Sequence, residues 1–393
     1  MLKLSSKKTS TNKILAKNKT RLEKAKRNLE KRKYSEFLEL PKRDYSPLLK
    51  EITQLKNKFS DIVIVGMGGS ILGGQMLFHT LKDPNHNLLQ KSKKGPSIHF
   101  IDTLDPRIIK SYEDVLDKKN TLFIFVSKSG GTLETTALFD LILQGAKKWF
   151  GANWQKHMLV MTENEKGHLH ERATKENLKI ISLPKFVGGR YSLLTESGII
   201  PAHLMGLNTT KLQEGAKNTK DSDRLACLLY EMYKKGKETL VLFPYISGFE
   251  YFNKWVIQLI AESLGKTSKV GPLAISLLGP SDQHSVLQLL LDGPKDKWVM
   301  FFELTNYKKD YKLKNNSFTE ILKAEQKGTS QALDDKKIPN LTFTLQDLNE
   351  ESLGKLAQTF MTATALAGEM LNINPFNQPA VELGKKKTKA ILK

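Results

Sequence analysis

Residues 125–136 read FVSKSGGTLETT. A β-favouring run ends at Ser127, and Lys128, Ser129, Gly130, Gly131 and Thr132 follow before a helical pattern begins. The short hydroxyls can donate hydrogen bonds, the ammonium adds a point charge, and glycine lets backbone N–H groups come close to a ligand. The helix that follows adds its positive N-terminal end. Together Ser127, Lys128, Ser129 and Thr132 suit a phosphate dianion. A second glycine-rich turn, GMGGSILGG at 66–74, follows another hydrophobic run. It matches neither the dinucleotide fingerprint nor the P-loop, because no Lys-Ser/Thr follows its glycines. Each stretch also has an ordinary structural reading. Residues 66–74 serve as a tight strand–helix turn, and 127–132 as a helix cap with Thr132 capping and Glu134 in the first turn. A capped N-terminus still holds an anion, so the two readings are compatible.

Such loops need strands to carry them. DIVIVG (61–66) is a continuous β-branched run, the pattern of a buried parallel strand. SIHFID (97–102), TLFIFVS (121–127), HMLVMT (157–162) and LKIISL (178–183) follow, with helical stretches between most of them. A second round begins at ETLVLFPYI (238–246) and continues through a helix to about Leu264, then WVMFFEL (298–304) and NLTFTL (340–345). The last helix covers roughly 352–371. This rhythm predicts an α/β protein with two doubly wound, mainly parallel domains. The expected division is a basic helical N-terminal arm over 1–45, a first domain over 46–205, and a second over 206–393 that includes a C-terminal extension.

Composition narrows the class. The net charge of +21 invites a nucleic-acid reading, but residues 1–50 alone hold 16 Lys and Arg against 5 Asp and Glu. The excess sits in an arm where Leu15, Leu22 and Leu29 recur seven apart, the mark of an amphipathic helix lying on the body. Charge alone, with no recognisable module, does not make a nucleic-acid-binding protein. No apolar run approaches 18 residues, and the N-terminus lacks the apolar core of a secretory signal. Cys227 is the only cysteine, which excludes an intrachain disulfide and a cysteine-rich metal site. A soluble, cytoplasmic protein is expected.

Five motifs in order, GMGGSILGG, SKSGGTLET, GGRYSLLTESGIIPAHLMG (188–206), AESLGK with GPSDQHS (261–285) and NPFNQPAVELGK (374–385), resemble the glucose-6-phosphate isomerase family with its two sugar-isomerase (SIS) domains. The resemblance runs from about residue 35 to 386. It implies reversible isomerisation of glucose 6-phosphate and fructose 6-phosphate, an enzyme of glycolysis and gluconeogenesis that needs no cofactor or metal. It implies that Gly69 and Ser70 line the sugar site and that Ser127, Lys128, Ser129 and Thr132 hold the 6-phosphate. Arg190 lies beside the reacting carbons, Gln258 and Gln378 hydrogen-bond the substrate, Glu262 is the base, and His284 and Lys385 assist ring opening. It also implies a homodimer with shared active sites. The chain departs from the family where Gly131-Thr132 replaces two threonines, at Pro379-Ala380, and in its basic arm.

The residue types fit those roles. Moving one proton between C2 and C1 needs a carboxylate on one face of the sugar, and Glu262 ends a helical run that Gly265 stops, facing the negative end of the dipole, which suits a proton acceptor. An enediolate oxygen needs a cation that keeps its proton, as arginine does. Ring opening takes a proton from one oxygen and gives one to another, work for a histidine near neutral pH. The resemblance implies that each site borrows a histidine from the partner chain, and the strand-like PLAISLLG (272–279), which separates His284 from Glu262 22 positions before it, agrees with that, so His284 is expected to serve the neighbouring subunit's site. Two other readings share these residues: an isomerase that also accepts mannose 6-phosphate, and a non-catalytic phosphosugar-binding protein on the same fold.

Overall fold

The computed structural model describes residues 2–5, 10–56, 58–90, 95–163 and 167–392. Among them are ten strands: β1 (Leu2–Ser5), β2 (Asp61–Gly66), β3 (Ser97–Ile101), β4 (Thr121–Val126), β5 (Met158–Thr162), β6 (Lys179–Ser182), β7 (Thr239–Pro244), β8 (Leu273–Ser276), β9 (Lys297–Leu304) and β10 (Asn340–Leu345). The chain divides into two compact units. Glu36–Lys217 with Asn349–Gly354 form the unit of the first sheet, and Met1–Ser35, Asn218–Leu348 and Lys355–Lys393 form the unit of the second.

The first sheet has the order β3-β2-β4-β5-β6, all parallel. Its β-branched runs are buried on both faces, as a parallel sheet covered by crossover helices requires. Val63, Val65, Phe123, Phe125 and Val160 meet Leu138, Phe139 and Ile142 of the helix Leu133–Phe150 in one core. The chain enters at β2 and winds outward first to one side, then to the other. Winding therefore reverses between β2 and β4, where Gly66 lies opposite Val126 at the carboxyl ends. The second sheet has the order β1-β10-β9-β7-β8 and repeats the plan, with reversal between β7 and β9. Val241, Phe243, Val299 and Phe301 form its core with Leu333 and Leu290. The expected strands and the mainly parallel α/β class hold.

Two elements escaped the sequence reading. Strand β1 adds an antiparallel edge to β10, Leu2 opposite Leu345. The basic tail, read as a run of lysines after the last helix, is itself a helix, Val381–Ile391, exposed along its length. Glu382 pairs with Lys385 one turn on, a contact that supports an isolated helix.

The arm is helical, as its leucines suggested, but their heptad is not the stripe that docks. The chain breaks at Asn18 between the helices Thr11–Lys17 and Lys19–Glu30, and Ile14, Asn18, Leu22, Ala25 and Leu29 are buried while Leu15 is only half-buried. The steps of four, four, three and four follow the 3.6-residue helical period. Polar contacts fasten this stripe. Lys17 lies 2.6 Å from Glu231, Asn18 Nδ2 donates to the same carboxylate at 3.3 Å, and Arg32 grips the buried Glu369 through two bonds of 2.8 and 3.3 Å.

Leu22→Ala should therefore cost about 2–5 kcal/mol of stability, read from denaturant unfolding. Hydrogen bonds, that of Lys17 foremost, hold the Glu231 carboxyl below its ordinary range. A depressed acid stabilises the fold above its unfolded pKa and ceases to do so as pH falls through the folded value. Glu231→Gln should lower stability near neutrality and flatten its decline in acid. An unchanged acid limb would remove this contact from the account.

Candidate active site

Ligands of an open parallel sheet sit in the crevice where winding reverses. In the first unit that crevice opens between the loops after β2 and β4, which are the two glycine-rich stretches singled out in the sequence.

The loop after β4 is held by its backbone. Ser127 N–H donates to Met161 O at 3.1 Å, Gly130 N–H to Ser127 O at 3.1 Å, and Leu169 N–H to Gly130 O at 2.8 Å. Gly130 has φ +62°, a left-handed conformation that favours glycine. Thr132 occupies the N-cap of the helix Leu133–Phe150, but its side chain makes no capping bond. Its hydroxyl instead accepts from Ser127 Oγ at 3.0 Å, and Ser129 Oγ accepts from Gly131 N–H at 3.3 Å. The capping expectation is thus corrected: Thr132 caps by position alone, and its side chain does not claim the N–H groups of the first turn. Lys128 Nζ donates to Lys185 O at 2.7 Å. Burial pushes the Lys128 ammonium below its ordinary pKa, against the opposing pull of Glu163 and Glu36.

One hydroxyl escaped the sequence reading. Thr135, in the first turn of that helix, is fully buried, and its Oγ1 has no hydrogen-bond partner among the described residues. Its place three residues after Thr132 was the available signal, since i and i+3 share a helix face.

The loop after β2 is shaped by contact with the GGRYS segment. A Cβ on Gly69 would lie 2.3 Å from Gly189 C and 2.6 Å from Arg190 N, so only glycine fits. Ser192 Oγ bridges the two backbones, 3.1 Å from Gly69 O and 2.7 Å from Gly189 O. Ser70 closes the turn with its N–H on Met67 O at 3.1 Å. Arg190 is 2 % exposed, and its guanidinium carbon lies 5.6 Å from the Tyr191 ring centroid. Glu196, in the same motif, is buried and meets Arg43 at 2.5 Å. Burial raises its carboxyl, and Arg43 opposes the shift.

The second unit carries the other candidates. Glu262 lies in the last turn of the helix Glu250–Leu264, which stops at Gly265 as expected. Gly265 has an ordinary φ of −76°, and its need for glycine is spatial: a Cβ would lie 2.6 Å from Ala261 O. Gln258 Nε2, one turn earlier, donates to Glu262 Oε2 at 3.2 Å. Lys266 Nζ donates both to Glu262 O and to Asn377 O, which joins the segment before the exposed Gln378 to this helix end. His284 is the second residue of the helix Gln283–Asp292 and is exposed. Lys385 pairs with Glu382 at 2.7 Å on the exposed terminal helix. Among the described residues neither His284 nor Lys385 hydrogen-bonds to the Gln258–Glu262 pair. No three His, Cys, Asp or Glu among the described residues are grouped to hold a metal ion, and no described helix is long and apolar enough to cross a membrane.

The profile of one family, phosphoglucose isomerase, matches residues 50–393. The chain is 31% identical over 385 residues to the glucose-6-phosphate isomerase of Carboxydothermus hydrogenoformans, covering 90% of this chain and 83% of that protein. It is 34% identical over 350 residues to that of Methanocaldococcus jannaschii, covering 84% of each. Among solved structures, a hypothetical protein from Thermus thermophilus superposes with a TM-score of 0.90 at 29% identity over 100% of both chains. A glucose-6-phosphate isomerase from Chlamydia trachomatis shares the fold, with a TM-score of 0.85 at 21% identity, over 100% of this chain and 88% of that one.

The depressed Lys128 predicts a pH effect on anion binding. An ammonium below its ordinary pKa loses its charge earlier as pH rises, so affinity for inorganic phosphate should weaken before the ordinary lysine range, near about pH 10, is reached. Lys128→Arg should abolish that alkaline loss, and Lys128→Ala should weaken binding at every pH. Phosphate affinity measured by calorimetry decides: a wild-type Kd that stays flat to about pH 10 removes Lys128 from the anion site.

Proposed function

The chain belongs to the phosphoglucose isomerase family and interconverts glucose 6-phosphate and fructose 6-phosphate, a step of glycolysis, and we propose that it does so with the residues described above. The observation that carries this residue assignment is the pair of loops at the winding reversal, and the Gln258–Glu262 hydrogen bond separately supports the role given to Glu262.

In this reading Ser127, Lys128, Ser129 and Thr132, with N–H groups of the helix that follows, hold the 6-phosphate. Each charge-assisted bond is worth roughly 1.5–3 kcal/mol. Gly69, Ser70, Gln258 and Gln378 line the sugar. That remote binding fixes C1 and C2 against the base. His284 and Lys385 move the protons that open the ring, one onto the ring oxygen and one off O1. Glu262 then takes the proton from C2 and returns it to C1 on the same face. The C1 carbonyl oxygen gains a proton and the C2 hydroxyl loses one, so the enediol collapses to the ketose. Arg190 faces the enediolate oxygen with a charge that persists at any working pH. Its loss should raise the barrier by about 3–4 kcal/mol. Gln258 orients the Glu262 carboxylate through their hydrogen bond.

The enzyme works in this proposal as a cytoplasmic homodimer in which each His284 serves the partner's site. Support comes from the exposure of His284 and from strand β8, which intervenes between it and Glu262. Glu262→Gln should abolish turnover while leaving affinity for a competitive sugar phosphate nearly intact. Retention of more than a few per cent of kcat would dismiss Glu262 as the base. Mixing Glu262→Gln with His284→Ala subunits tests the sharing. Random re-association leaves both defects in one site of each mixed dimer and none in the other, so activity should recover to about a quarter of wild type. No recovery, with exchange verified by differently tagged subunits, would rule out shared sites.

A further inference from the structure

The excess charge of the arm has no part in that chemistry. Lys17, Arg21, Lys24 and Arg27 recur every three or four residues along the helices Thr11–Lys17 and Lys19–Glu30, so they form one stripe, and all four are exposed. Facing them, the end of the helix Ser222–Lys234 supplies the exposed Lys234 and Lys235. Between the two walls, within the second unit, lies a trough of about 770 Å³. Six cations line it against one carboxylate, Glu231, which is already engaged by Lys17 at 2.6 Å and Lys235 at 3.7 Å. The stripe from Lys17 to Arg27 runs about 15 Å at the α-helical rise. Cations so placed repel one another, and a linear anion that follows them relieves the repulsion and releases its own counterions.

The walls discriminate among anions. Single-stranded nucleic acid relies on aromatic rings on which bases stack. The one ring lining the trough, Tyr230, is covered by the Arg21 guanidinium 4.9 Å above its centroid. A membrane surface calls for apolar side chains to insert. Among the described residues of the arm the large exposed apolar one is Tyr34, which does not line the trough. A chain of phosphates without bases needs only positive charge at short, regular intervals. We propose that this trough binds linear inorganic polyphosphate.

The test uses the full-length chain and fluorescently labelled polyphosphate of a few tens of units, with affinity followed by anisotropy across a salt series. Arg21→Gln/Lys24→Gln/Arg27→Gln should lose at least tenfold in affinity, and its slope of log K against log salt should fall by about 2, at roughly 0.7 per neutralised contact. Lys234→Gln/Lys235→Gln, from the opposite wall, should lose less but in the same direction. Lys308→Gln/Lys309→Gln/Lys312→Gln removes equal charge from exposed positions outside the trough and should bind like wild type. Isomerase activity and melting temperature should hold in all three variants. The proposal falls if wild type binds no polyphosphate at physiological salt, or if the distant triple variant loses as much as the trough variant. It falls equally if oligouridylate of matched charge or phosphatidylserine-containing vesicles bind more tightly through the same residues.

Discussion

A parallel sheet that starts in its middle and winds outward in both directions leaves two loops diverging over one crevice. Everything proposed for the phosphate follows from that constraint. Gly66 and Val126 end neighbouring strands in register, so the loops beyond them have to share the space above the sheet edge. Backbone there leaves the ladder and turns back on itself, Gly130 N–H on Ser127 O and Ser70 N–H on Met67 O, so the loops are held in place beside the crevice. The helix Leu133–Phe150 starts at this edge and adds its positive end. The hydroxyls of Ser127, Ser129 and Thr132 and the ammonium of Lys128, proposed above to hold the phosphate, stand at this same edge.

The second constraint is backbone against backbone. Gly69 lies so close to Gly189 and Arg190 that a methyl group would overlap them. Ser192 bonds both segments and fixes their spacing. Arg190 is therefore placed by the same contact that shapes the glycine turn, and a buried guanidinium cannot wander from it. In the other unit the Gln258–Glu262 bond does comparable work across one helical turn. The second sheet repeats the winding plan of the first, yet its candidate carboxylate sits at the far end of the crossover helix after β7, not on the loop at the strand's carboxyl end.

The arm follows different physics. Its leucines bury apolar surface, while its lysines and arginines meet Glu231, Asp223 and Glu369 of the same unit. Those carboxylates account for only part of the charge. Arg21, Lys24 and Arg27 line one trough together with Lys17, which is why the arm is both a structural element and a source of a strong local field.

The strands were legible because buried parallel strands demand uninterrupted β-branched and aromatic residues, and DIVIVG and TLFIFV leave no other reading. The glycine turns and the stop at Gly265 were legible because glycine marks places where a side chain has no room. The docking stripe of the arm was not, since Leu15 and Ile14 are equally apolar and only packing shows which faces the body. Strand β1 was hidden because four residues at an edge carry too little pattern, and the helix Val381–Ile391 because a lysine-rich tail reads as solvated chain. Thr132 and Thr135 make the same point at the site. The sequence by itself determined that hydroxyls stand at the start of a helix. The tertiary structure decided that Thr132 bonds Ser127 in place of the helix N–H groups and that Thr135 is buried without a partner among the described residues. Residue type and spacing are local properties, whereas burial and hydrogen-bond partnership depend on segments far away in the chain.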